Sequence, residues 1–128
     1  MHVATAAINA GIMRGSLKEA IEYTKEREQG GKAVINWSEV RMLLANMAIK
    51  TEAARALVYA IARYMDSEPP DVSKYAAMAK VFPADVAMEV TIEAVQVLGG
   101  YGYMQDYPVE KMMRDAKILQ IYEGTNEI

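Results

Sequence analysis

From Val3 to about Arg27, Ala6, Ala10, Met13, Leu17, Ala20 and Thr24 recur at alternating spacings of four and three. That spacing gathers them on one face of an amphipathic helix. The charged run Lys25-Glu26-Arg27-Glu28 then meets Gly30-Gly31, a stop signal. Val40, Leu44, Met47, Thr51, Ala54, Val58, Ile61 and Met65 repeat the pattern without a break. They predict a long second helix, with Ser38 as its N-cap and Pro69-Pro70 as its end. A stripe of that length implies near-parallel helical partners, as in a bundle.

Asp71 or Ser73 opens a third helical stretch that runs to Leu98 and closes at Gly99-Gly100. Pro83 interrupts it, which predicts a kink or a division into two helices. After Gly-Tyr-Gly-Tyr, Pro108 suits a first helical position, with Glu110 offsetting the dipole in the first turn. This short helix is expected to fade near Lys117. The alternating polarity of Ile118–Tyr122 suggests extended chain, and Thr125 suits the cap of a further helix that the sequence cuts short. Four helical blocks with short connections predict an all-α fold, an antiparallel four-helix bundle without strand pairs of consequence.

Composition narrows the chemistry. The 128 residues make one domain by length, 52% apolar and 24% charged, with 10 Met and few aromatics. A net charge of -3 with mixed signs offers no basic stripe for nucleic acid. There is no Cys and one His at position 2, which excludes a disulfide scaffold and makes a transition-metal site improbable. No uninterrupted apolar run is long enough to span a membrane. Met1-His2-Val3-Ala4 reads as the first turn of a helix, not as a secretory leader, which suggests a chain cut from a longer one.

The chemistry concentrates between Tyr107 and Glu127. Glu123 stands in a Tyr-Glu-Gly-Thr turn, and a Glu beside Gly can present its carboxylate and a bare backbone N–H to one bound molecule. Proton abstraction next to a carbonyl needs both, a base and a donor for the charge that develops on oxygen. Taken locally, Glu-Gly is more often simply a turn.

Longer motifs change that balance. Gln96-Val97-Leu98-Gly99-Gly100-Tyr101-Gly102-Tyr103, Tyr107-Pro108-Val109-Glu110, Arg114-Asp115-Ala116-Lys117-Ile118 and Ile121-Tyr122-Glu123-Gly124-Thr125 occur in that order. Glu26-Arg27, Leu44-Ala45-Asn46-Met47-Ala48 and Ala79-Lys80-Val81-Phe82 accompany them. Together they resemble the C-terminal helical domain of the acyl-CoA dehydrogenases, across essentially the whole chain. The resemblance implies FAD-dependent oxidation of an acyl-CoA to the 2-enoyl-CoA, with Glu123 as the base that takes the α-proton. Gly124 looks like the residue packed against the thioester. Burial against an acyl chain would raise the pKa of a carboxylate from its ordinary ≈ 4.3.

The same resemblance implies cofactor contacts across a subunit interface. Arg27 looks like the partner of the FAD pyrophosphate, a role guanidinium suits. Gln96, Gly99 and Gly100 look like the segment approached by the adenosine end of a neighbouring subunit's FAD, and Thr125 and Glu127 like residues beside the flavin or its phosphates. Read alone, Arg27 is a solvated helix-end charge, Gly99-Gly100 a helix stop, and Arg114-Asp115 a structural ion pair. The Arg-x-x-Phe-Gly pattern usual in the family is absent, because Gly30 stands in place of the phenylalanine. Trp37-Ser38 replaces a common Phe/His-Gln pair.

The resemblance also implies a homodimer or homotetramer, an electron-transfer flavoprotein as electron acceptor, and a cytoplasmic location, or the mitochondrial matrix in a eukaryote. Complete members add an N-terminal helical domain and a central β-domain that hold the flavin ring and much of the CoA. Residues 1–128 correspond to neither, so alone they are expected neither to retain FAD nor to turn over substrate. Two alternatives remain at this point, a non-catalytic oligomerisation module and an acyl-CoA oxidase-like flavoenzyme.

Overall fold

The computed structural model describes residues 2–127. Helices α1 (His2–Glu26), α2 (Ser38–Met65), α3 (Val72–Leu98) and α5 (Val109–Leu119) form the expected all-α bundle, with a one-turn α4 at Gly100–Tyr103. Helix α3 is central, because α1, α2 and α5 all pack on it.

The stripe read for α2 is its buried face. Leu44, Met47, Thr51, Ala54, Val58 and Ile61 are buried, and Val40 and Met65 are half-buried. On α1 the buried face is wider than its apolar stripe and also takes in Thr5, Asn9 and Ser16. The Ser16 hydroxyl donates to the Ile12 carbonyl at 2.8 Å, and Thr24 does the same to Ala20 at 2.8 Å. Satisfied within their own helix, such small polar groups fit a close helix–helix contact. The main core gathers Met13, Met47, Val90 and Val109, and a smaller cluster forms around Ala6, Val58, Ile61 and Ala79.

Several expectations change. Helix α3 runs through Pro83 as a single element, with Pro83 itself fully buried, so the division into two helices does not occur. Trp37, not Ser38, holds the cap position of α2, and the Ser38 hydroxyl donates to Glu39 at 3.0 Å instead. Asp71 stands at the start of α3 but makes no side-chain cap, since its carboxylate accepts from the Tyr64 hydroxyl at 2.8 Å. Pro108 sits one position before α5, and α5 extends to Leu119. Ile118–Tyr122 is therefore not extended: Ile121 and Tyr122 both return their N–H to the Ile118 carbonyl, at 3.0 Å each. A two-residue hairpin, β1 (Glu28–Gln29) with β2 (Lys32–Ala33), closes the α1–α2 connection.

Candidate active site

Docked on α3, α5 sends the segment after Leu119 back across the middle of α3. Glu123 lies there with φ of 57° and Gly124 with φ of 95°. Two consecutive positive φ values turn the chain sharply, and the second costs nothing only because Gly has no Cβ. The turn is closed by the Asn126 N–H, which donates to the Gln120 carbonyl at 3.0 Å. Between that bond and the Tyr122 bond, the amides of Glu123, Gly124 and Thr125 reach no backbone carbonyl among the described residues. Glu123 and Gly124 are exposed, so the carboxylate stands on the surface of this chain.

The turn is clamped from α3. Lys80 is 3% exposed, and its ammonium donates to the Gly124 carbonyl and to Asn126 Oδ1, both at 2.6 Å. Asn126 Nδ2 and Gln120 Nε2 each donate to Asp85 Oδ1 at 2.8 Å. Burial pushes the Lys80 amine below its ordinary value, against the opposing pull of Asp85 and Glu127. Neither Lys80 nor Asn126 received a role from the sequence. The only signal was the place of Lys80 in the Ala79–Phe82 match.

The remaining site residues divide between two places. Thr125 and Glu127 belong to the clamped turn, where the Thr125 hydroxyl donates to the Glu127 carboxylate. That bond, with the Glu127 backbone N–H, holds the Glu127 carboxyl below the usual carboxylate range. Gln96 lies near the far end of α3, about 24 Å from Lys80 at 1.5 Å of rise per residue, with Gly99 and Gly100 just beyond the helix. All three are exposed, and a Cβ built on either glycine would meet nothing within 4 Å.

Arg27 is at that same far end, its guanidinium 5.5 Å above the Tyr101 ring. Tyr101 packs with Tyr23 and Tyr107 at centroid distances of 6.4 and 5.7 Å, which covers the bundle end. Arg27 and these tyrosines line an open cavity of ≈ 440 Å³ together with Glu19, Glu22 and Glu26. Arg114 and Asp115 do not pair with each other. Arg114 bonds Glu110 at 3.0 Å, and Lys111 bonds Asp115 at 2.6 Å. A trio of residues able to hold a metal ion does not occur among the described residues, and no described helix is long and apolar enough to cross a membrane.

The donor set suits a dinucleotide cofactor. An exposed guanidinium fits a pyrophosphate, Gln96 offers an amide for polar edges, and the open glycines leave room for close approach.

The helical bundle carries Glu123 on a clamped left-handed turn, and at its other end an open cavity where Arg27 stands among three glutamates and three tyrosines. The chain belongs to the acyl-CoA dehydrogenase family, whose C-terminal domain matches residues 2–128. It is 52% identical over 118 residues to a probable acyl-CoA dehydrogenase of Mycobacterium leprae, covering 92% of this chain and 30% of that protein. The solved butyryl-CoA dehydrogenase from Megasphaera elsdenii is 48% identical with a TM-score of 0.94, over 98% of this chain and 33% of that one. A glutaryl-CoA dehydrogenase from Mycobacterium smegmatis in complex with FADH2 is 26% identical with a TM-score of 0.91, over 98% of this chain and 32% of that one. The chain thus spans about a third of the length of these relatives.

Proposed function

We propose that these residues form the C-terminal helical domain of an FAD-dependent acyl-CoA dehydrogenase, in which Glu123 removes the α-proton of a bound acyl-CoA. The clamped turn carries the reading: an exposed carboxylate at φ 57°, followed by a residue without a side chain and flanked by amides with no backbone acceptor among the described residues. A thioester seated against Gly124 brings its α-carbon beside the carboxylate, and a neighbouring amide N–H is available to the carbonyl oxygen. The acyl chain then covers Glu123, which loses water and becomes a stronger base. When bound, FAD supplies the acceptor for the hydride that leaves the β-carbon.

Arg27 is assigned to the cofactor pyrophosphate, Gln96, Gly99 and Gly100 to its adenosine end in a neighbouring subunit, and Thr125 and Glu127 to the flavin side. Because the adenosine-side contacts are assigned to a neighbouring subunit's cofactor, this reading carries a homodimer or homotetramer with it. Met42, Ile49, Phe82 and Ile92 are exposed apolar residues on α2 and α3, available to such contacts. An electron-transfer flavoprotein is the acceptor this reading assigns, and the cytoplasm its compartment. The 128 residues alone neither retain FAD nor turn over substrate.

The test is Glu123→Gln in the full-length protein that bears this domain, mixed anaerobically with a panel of acyl-CoAs while flavin bleaching is followed. Bleaching slower by about 10²–10⁴-fold, the scale of a lost general base, with acyl-CoA binding retained, supports the assignment. Bleaching at the wild-type rate places the base elsewhere.

A further inference from the structure

Lys80 has an unusual position for a lysine. It is 3% exposed, and no carboxylate lies within ion-pair distance of it among the described residues. Burying an ammonium costs several kcal/mol unless its donors are well used. A lysine kept only to hold helices together would be expected to face a carboxylate, as Lys50 faces Glu89 at 3.0 Å and Glu93 at 3.2 Å. Lys80 instead reaches a backbone carbonyl and an amide oxygen, both in the turn that contains Glu123.

That turn needs holding. A residue with a Cβ in the left-handed region is strained, and it persists only where its surroundings over-determine it. Glu123 is such a residue, with φ of 57°. The carbonyl one residue further on, that of Gly124, is the group Lys80 grips. Asp85 supports the grip indirectly by orienting the Asn126 amide, so that Asn126 Oδ1 faces the ammonium while its Nδ2 faces the carboxylate.

We propose that Lys80 is the positioning residue of the catalytic turn: by holding the Gly124 carbonyl and the Asn126 side-chain oxygen, it keeps Glu123 in the left-handed conformation from which the carboxylate meets substrate. Lys80 touches neither substrate nor cofactor in this role, and acts through the backbone. The inference rests on the reading of Glu123 as the base.

The experiment uses the full-length flavoenzyme that bears this domain, with Lys80→Met, Asn126→Ala and Glu123→Gln measured side by side. Each is mixed anaerobically with the fastest of a panel running from butyryl-CoA to palmitoyl-CoA. The limiting rate of flavin bleaching is expressed per bound flavin, and acyl-CoA affinity is titrated separately. Lys80→Met is expected to lower the limiting rate by about 100-fold, the scale of an ångström-sized misplacement, with little change in affinity. Asn126→Ala should lower it by roughly tenfold.

A Lys80→Met enzyme with reduced flavin content or melting temperature but an unchanged rate per flavin has lost only stability, and overturns the proposal. If Lys80→Met fails to fold, Asn126→Ala decides, and a wild-type rate there overturns the proposal equally. Glu123→Gln separates the two readings. If it abolishes bleaching while Lys80→Met does not slow it, the base assignment stands and the positioning role falls. If Glu123→Gln bleaches normally, the base assignment fails and takes the positioning role with it.

Discussion

The indole of Trp37 lies against Gly30, so closely that a β-carbon at residue 30 would stand 2.7 Å from its Cζ2 atom. The indole N–H donates to the Gln29 carbonyl at 3.2 Å, and the Lys32 ammonium sits 3.9 Å from the ring centroid on its face. The two positions that depart from the family pattern are thus in contact with each other. The Trp37 ring packs against residue 30, and it fits there because residue 30 is a glycine.

Gly30→Ala must displace the indole and also place a Cβ at φ of +66°. A stability loss of about 1–3 kcal/mol is expected. Trp37 is the single tryptophan, so its emission reports the hairpin directly during denaturant unfolding. An unshifted emission spectrum with unchanged stability would show that the hairpin does not depend on this contact.

Gly102 is a second position where space decides. A Cβ there would lie 2.5 Å from the Val95 carbonyl oxygen and 2.9 Å from Leu98 Cβ, and a backbone atom cannot swing aside as a side chain can. Gly102→Ala is expected to cost about 1–3 kcal/mol in thermal denaturation. It should also disturb Tyr101, which carries the Arg27 guanidinium on its ring. A melting temperature equal to wild type would contradict so close an approach of α4 to α3.

Lys50 ties α2 to α3 through Glu89 and Glu93. Its hydrogen bond to Glu89 raises its pKa above the ordinary 10.5, outweighing partial burial. A raised folded-state pKa means the contribution is complete below 10.5 and fades as pH climbs through the raised value. Lys50→Met should therefore cost on the order of 1 kcal/mol at neutral pH, kept small by the lysine's partial exposure, and above neutrality the deficit should shrink only in strong alkali. Chemical denaturation of both forms across pH checks this, and a deficit that shrinks near neutrality would contradict it.

Arg27 is exposed, so Arg27→Ala should lower stability by no more than about 0.5–1 kcal/mol, the worth of its stacking on Tyr101. If it meets the cofactor pyrophosphate, flavin affinity of the full-length protein should fall by about ten- to a hundredfold, the scale of a lost charged hydrogen bond. Flavin titration of the stripped protein measures the difference directly. Equal affinity in the two forms would remove Arg27 from the cofactor site.

The helices were legible because each is written in local spacing. The stripe from Leu44 to Ile61 is buried residue for residue, since a 3.6-residue period puts those positions on one face whatever they pack against. The pattern was less informative where polar residues bond their own helix, as Ser16 and Thr24 do, because a hydroxyl satisfied at i−4 no longer behaves as polar. Alternation misled at Ile118–Tyr122, where the packing of Leu119 continues α5 and a turn follows.

The sequence by itself determined the helical stripes, the glycine and proline stops and the family motifs, including Glu123-Gly124. Only the tertiary structure decided that Lys80, 44 residues before Gly124, holds that turn, and that Asp85 orients Asn126. Periodicity states which face of a helix is buried. Which donor meets which acceptor across that face depends on how α3 and α5 are docked, and docking is a property of the assembled bundle.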